Sequence, residues 1–158
     1  MKNLINATAV VLVTLLFVNC KSNQPAAPAN TLPTLSADDN KIIIQREIST
    51  WEFGKTKNFD GLREILADDY QAFFGKNVMN ENDVIRTFQN SIIRSYHLSN
   101  IRVKPIAENA AVIYYELDQD VMDENGDKWT PLVASSTIYV KRNNVWRAVF
   151  YQETEIKN

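Results

Sequence analysis

Trp129-Thr130-Pro131-Leu132-Val133-Ala134-Ser135-Ser136-Thr137-Ile138-Tyr139-Val140-Lys141-Arg142 is followed by Asn143-Asn144 and then by Val145-Trp146-Arg147-Ala148-Val149-Phe150-Tyr151-Gln152-Glu153-Thr154-Glu155-Ile156. Leu132, Ala134, Ser136, Ile138 and Val140 alternate onto one face of the first run. Trp146, Ala148 and Phe150 do so on the second, with Gln152 and Thr154 continuing that parity. Period two with β-branched and aromatic content predicts paired, half-buried strands around a tight turn. Two strands are not stable alone in water, so the rest of the chain must cover their apolar face.

The segments before this hairpin supply the cover. Ser36 is a good helix N-cap, with Asp38 and Asp39 in the first turn, and Ile44, Ile48 and Trp51 recur at helical spacing. A first helix to about Lys55 follows. Asn58 caps a short second helix with Leu62, Ile65 and Leu66 on its buried face, ended by Asp68-Asp69. Tyr70, Ala72 and Phe74 alternate as a short strand, and Gly75-Lys76-Asn77 turns the chain. Asn80, with Asp83 three residues on, starts a third helix with Val84, Ile85, Phe88 and Ile92 as its apolar face.

From Ser95 onward the pattern is strand and turn. Tyr96 and Leu98 share one parity, Ile101 and Val103 the other, which predicts a β-bulge between them. Ala111, Ile113, Tyr115, Leu117 and Val121 alternate in the next strand, and Asn125-Gly126 marks a turn before the final hairpin. Helices first and strands later predict an α+β domain: three N-terminal helices packed on a strongly curved, largely antiparallel sheet whose last four strands form a meander.

A chain of 158 residues, 45% hydrophobic and 23% charged, has the size and composition of one globular domain. Its formal net charge of -2 leaves no positive surplus for a phosphate backbone, so nucleic acid is not an expected partner. The single cysteine, Cys20, excludes an intrachain disulfide. It lies at the end of an apolar run, residues 7–18, that follows Lys2. That run is too short to span a bilayer and has the length of a signal-peptide core. Leu16-Phe17-Val18-Asn19-Cys20 resembles a bacterial lipobox. The resemblance implies a lipoprotein signal peptide over residues 1–19 and lipidation of Cys20. The protein would then be held on a membrane of the bacterial cell envelope, facing the periplasm or the outer surface. Residues 20–35 hold three of the five prolines and little to bury, and read as a linker. The domain is then 36–158.

Trp51, Phe59-Asp60, Leu66-Ala67-Asp68-Asp69-Tyr70, Ala110-Ala111-Val112-Ile113-Tyr114-Tyr115 and the closing strand, residues 145–154, together resemble the NTF2-like superfamily, specifically its SnoaL-like and DUF4440 types. The resemblance implies a cone: a curved sheet closed by three helices, with a pocket at the wide end. It also implies that the outer sheet face can form a homodimer, here through Val112, Tyr114, Val133, Tyr139 and Val149. Family members include isomerases, cyclases, dehydratases, ligand binders and structural domains.

One histidine, His97, excludes a site built on paired imidazoles. Gly126 lacks carboxylates where a calcium loop needs them, since Val121 and Leu132 fall at those positions. No metal or cofactor is implied. Asp69 and Glu153 are carboxylates that could serve as bases, but Asp69 reads as a helix terminator and Glu153 has outward parity. Trp51, Tyr70, Phe74 and Tyr115 have core-facing parity, and with Gln152 and Thr154 they are the expected pocket residues. The expected role is non-catalytic binding of a small apolar or amphipathic ligand or of a partner protein. An isomerase, cyclase or dehydratase is the alternative, and a structural dimerisation domain the second.

Overall fold

The computed structural model describes residues 33–157; Cys20, the apolar leader and most of the linker lie outside them. The elements are α1 (Ala37–Thr56), α2 (Phe59–Ile65), β1 (Leu66–Phe74), β2 (Asn77–Asn80), α3 (Glu81–Asn90), β3 (Ile92–Ala107), β4 (Ala110–Met122), β5 (Leu132–Arg142) and β6 (Val145–Glu155). No described helix is long and apolar enough to cross a membrane.

The caps are where the side-chain chemistry places them. Ser36 Oγ accepts the Asp39 N–H at 3.0 Å and Asn58 Oδ1 accepts the Gly61 N–H at 3.1 Å. Asn80 and Asp83 form a reciprocal capping box that starts α3. Lys57 ends α1 with a left-handed φ of 60° and sends its ammonium to the carbonyls of Phe88 and Ser91. One residue thus stops one helix and caps the C-terminus of another, where a cation is favoured.

The six strands form one mixed sheet in the order β2-β1-β6-β5-β4-β3. β3 to β6 are an antiparallel meander, as expected, and β1 joins β6 in parallel. Its edges, β2 and β3, are not paired to each other, so the sheet is open rather than the strongly curled cone expected. The bulge expected in β3 lies between Ser99 and Arg102, where Asn100 takes a positive φ of 53°.

Several sequence-based expectations need correction. β2 was not anticipated. Ile92 opens β3 and is exposed rather than on the face of α3. Leu66, Asp68 and Asp69 belong to β1, not to the end of α2. The buried stripe of α1 is Ile43, Glu47, Trp51 and Gly54, rotated from the predicted Ile44 and Ile48 and centred on a carboxylate.

The inner face of β5 is Val133, Ser135, Thr137 and Tyr139, the opposite parity to that predicted. Val133 and Tyr139 are therefore core, not outer face. In β6, Ile138 pairs with Phe150 but Tyr139 pairs with Ala148, leaving Val149 as an extra residue. That bulge flips parity. Trp146 and Ala148 point inward, then Tyr151 and Glu153, while Phe150, Gln152 and Thr154 turn away from the helices.

The core lies between the helices and the inner sheet face. Trp51 meets Phe88 edge-on at 5.9 Å, Phe88 meets Trp129 at 6.3 Å, Trp129 meets Phe74 at 6.4 Å, and Phe74 meets Tyr151 at 5.3 Å. This row of rings runs from α1 to β6 and ends at the opening described next.

Candidate functional site

A cavity of about 490 Å³ opens where α3, the β4–β5 loop and the end of β6 meet. Its apolar wall is Phe74, Met79 and Trp129; Arg86, Thr87 and Asn90 come from α3, and Glu153 from β6. The loop is held by Asp123, whose Oδ1 accepts the N–H groups of Asn125 at 2.8 Å and Asp127 at 2.9 Å around Gly126, φ +84°. The Asp123 carboxylate is thereby engaged in the turn.

Glu153 is the chemically distinctive lining group. The bulge at Val149 turns it inward, against its predicted outward parity. Tyr151 Oη donates to Glu153 Oε2 at 2.7 Å and lies 3.1 Å from Ser135 Oγ. Burial pushes the Glu153 carboxyl up, opposed by the Tyr151 hydrogen bond. The Tyr151 phenol is also pushed well up, first by burial and then by the charge of Glu153.

A second carboxylate lies deeper. Glu47 is 2% exposed under α1. Its Oε1 accepts from Tyr115 Oη at 2.6 Å and Thr137 Oγ1 at 2.8 Å, and its Oε2 from Tyr139 Oη at 2.9 Å. Trp51 Nε1 donates onward to Tyr115 Oη at 3.3 Å. Burial raises the Glu47 carboxyl above its ordinary value, and the three hydroxyls work against that shift. Burial pushes the Tyr70 phenol up, and the charges of Glu47 and then Glu153 push it the same way.

The residues expected to form one pocket divide three ways. Phe74 lines the cavity. Trp51, Tyr70 and Tyr115 are buried in the core and do not line it, Trp51 and Tyr115 standing in the Glu47 network. Gln152 and Thr154 face outward and line a separate cleft with Phe73 and Gly75, because of the Val149 bulge. Asp69 is held by Arg142 through a two-pronged ion pair at 2.7 and 2.8 Å on the surface. His97 is exposed on β3. Among the described residues no group of His, Cys, Asp and Glu could hold a metal ion.

The sequence does not single out Glu47, Trp129, Thr137 or Tyr151, it sets Glu153 aside on parity, and it places Tyr139 on the outer face. A signal existed for Glu47, which stands four residues from both Ile43 and Trp51. Another existed in β6, where Val145, Trp146, Ala148, Val149, Phe150 and Tyr151 are too many apolar residues for one face of a strand without a bulge.

No functionally curated protein matches the chain. Among solved structures it is similar to an NTF2-like protein from Cytophaga hutchinsonii, with 12% identity, 74% of this chain and 98% of the other covered, and a TM-score of 0.68. A candidate Ca/calmodulin-dependent kinase II association domain from Exiguobacterium sibiricum gives 12% identity, 79% and 98% coverage, and a TM-score of 0.68. The association domain of C. elegans CaMKII gives 19% identity, 74% and 96% coverage, and a TM-score of 0.56. These likenesses establish an NTF2-like fold: α+β, with three helices on a six-stranded mixed sheet. A family model, the calcium/calmodulin dependent protein kinase II association domain, matches residues 48–155. That match spans well over half of the chain, and the protein therefore belongs to this association-domain family.

Proposed function

We propose that this protein is a lipid-anchored binding module of the bacterial cell envelope, whose NTF2-like domain holds a small amphipathic ligand without transforming it. The observation that carries this reading is the cavity of about 490 Å³, within the size range of small-ligand sites, with apolar rings on one wall and a carboxylate on another. The anchor would be lipid on Cys20, and residues 21–35 would let the domain stand clear of the surface. The family match names an association domain rather than the SnoaL-like or DUF4440 type, which supports self-association as part of the role.

The test is native mass spectrometry of the full chain extracted from membranes. A retained small molecule is expected in the wild type and its loss in Thr87→Trp, which fills the cavity from α3. Wild-type protein free of any retained molecule, and indistinguishable from Thr87→Trp, would overturn the reading.

A second reading is acid–base chemistry, favoured by the 2.7 Å bond between Tyr151 and Glu153: a carboxyl raised by burial beside a phenol. A structurally similar candidate dehydratase from Streptomyces avermitilis, at 14% identity, shares the fold. Conversion of the retained molecule by wild type but not by Tyr151→Phe would favour chemistry over binding alone.

A further inference from the structure

Three lining groups of the cavity are carboxylates, Asp123, Glu124 and Glu153, and two are cations, Arg86 and Lys128. Both cations sit at the rim and are engaged outside the lining. Arg86 pairs with Asp83 at 2.5 Å and its side chain is 67% exposed; Lys128 lies 3.8 Å from Asp120 and its side chain is 69% exposed. Charges so exposed are largely screened by solvent. Of the carboxylates, Asp123 is used by its turn and Glu124 accepts from the Asn90 amide at 2.8 Å. Glu153 is mostly buried and has only the Tyr151 hydroxyl; it takes part in no ion pair among the described residues. A mostly buried carboxylate beside clustered aromatic rings, here Phe74, Trp129 and Tyr151, is the chemistry that receives a cation.

We infer that the ligand of this cavity is a small organic ammonium compound: its cationic nitrogen faces Glu153, and its apolar body lies against Phe74, Met79 and Trp129. The inference rests on the ligand-binding reading above and specifies its ligand. Burial of Glu153 raises its carboxyl, so an arriving cation draws a proton off it, and binding releases protons to the buffer near the titration of that group.

The probes are phenethylammonium, the uncharged 3-phenyl-1-propanol and the anionic phenylacetate, titrated into the full chain in detergent and read by calorimetry and tryptophan fluorescence. The expected result is that phenethylammonium binds at least tenfold more tightly than either analogue. Glu153→Gln should erase this preference while the variant melts cooperatively and still binds the alcohol. The wild-type comparison of the three probes needs no variant to fold, so it decides the matter if Glu153→Gln does not. If the alcohol or phenylacetate binds as well as the ammonium, the cavity is a ligand site but the ammonium inference is overturned. If none of the three binds, the ammonium inference is overturned, and the native mass spectrum of the wild type decides separately whether the ligand-binding reading falls with it.

Discussion

Glu47 is buried, has no cation partner among the described residues and is held by three hydroxyls, which makes its removal and its neutralisation very different changes. Glu47→Ala leaves Tyr115, Thr137 and Tyr139 without their shared acceptor and opens a void; a loss of about 3–5 kcal/mol in denaturant unfolding is expected, as for a broken buried charged network. Glu47→Gln keeps the shape and an acceptor oxygen. The folded-state carboxyl is raised, so between its unfolded value and its folded value the native state binds the extra proton, and stability falls as pH rises through that window. Glu47→Gln should therefore flatten the fall in melting temperature above pH 4.5 and be at least as stable as wild type at pH 8. A steep fall retained in the variant would refute this assignment. Asp39 has the opposite sign. Hydrogen bonds from Lys141 at 2.8 Å and Trp146 at 2.6 Å hold its carboxyl down at about 2, so its contribution is complete above about 3.8 and is lost as pH falls towards 2. Asp39→Asn should be less stable than wild type at pH 6, with the difference shrinking in acid, as read by thermal melts from pH 6 to pH 2.

At the scale of elements, α1 reaches α3 through a position that only glycine fills without displacement. A Cβ on Gly54 would stand 3.0 Å from the Phe88 ring, which is itself fixed between Trp51 and Trp129. Overpacking of this kind costs about 1–3 kcal/mol, against a helix-propensity gain of about 1 kcal/mol for replacing glycine. Gly54→Ala should lower the melting temperature, and Phe88→Leu should be less damaging in that background than in wild type, a coupling that a double-mutant cycle measures. The Val149 bulge is the other element-level device. It lets one strand supply Trp146, Ala148 and Tyr151 to the core and Glu153, held by the Tyr151 hydroxyl, to the cavity.

At the scale of the whole molecule, the outer sheet face carries Val112 across from Ile138, Ile138 across from Phe150, and Phe150 stacked on Phe73 at 5.5 Å, with Tyr114 46% exposed beside them. A face of this kind suits a second copy of the chain, in keeping with the association-domain family. Tyr114→Glu combined with Phe73→Asp should reduce the sedimentation coefficient of the full chain without altering its circular dichroism; an unchanged coefficient would exclude this face. Cys20→Ala should move the protein from the membrane to the soluble envelope fraction on cell fractionation, and persistence with membranes would rule out the lipid anchor.

Features under local chemical control are legible along the chain: the helix caps at Ser36, Asn58 and Asn80, the bulge near Asn100, the meander, and the inward face of β4 from Ala111 to Val121. These follow from spacing and from side chains that bond their own backbone. The faces of α1, β5 and β6 depend instead on contacts between segments far apart in the chain. In β5 both parities carry apolar and hydroxyl residues, so alternation could not choose between them. Thr137 and Tyr139 are inside because Glu47, distant in sequence, needs their hydroxyls there. Glu153 faces the cavity because a single extra residue in β6 changed which side of the sheet its end presents; the crowded apolar run hints at a bulge, but only the pairing with β5 places it at Val149.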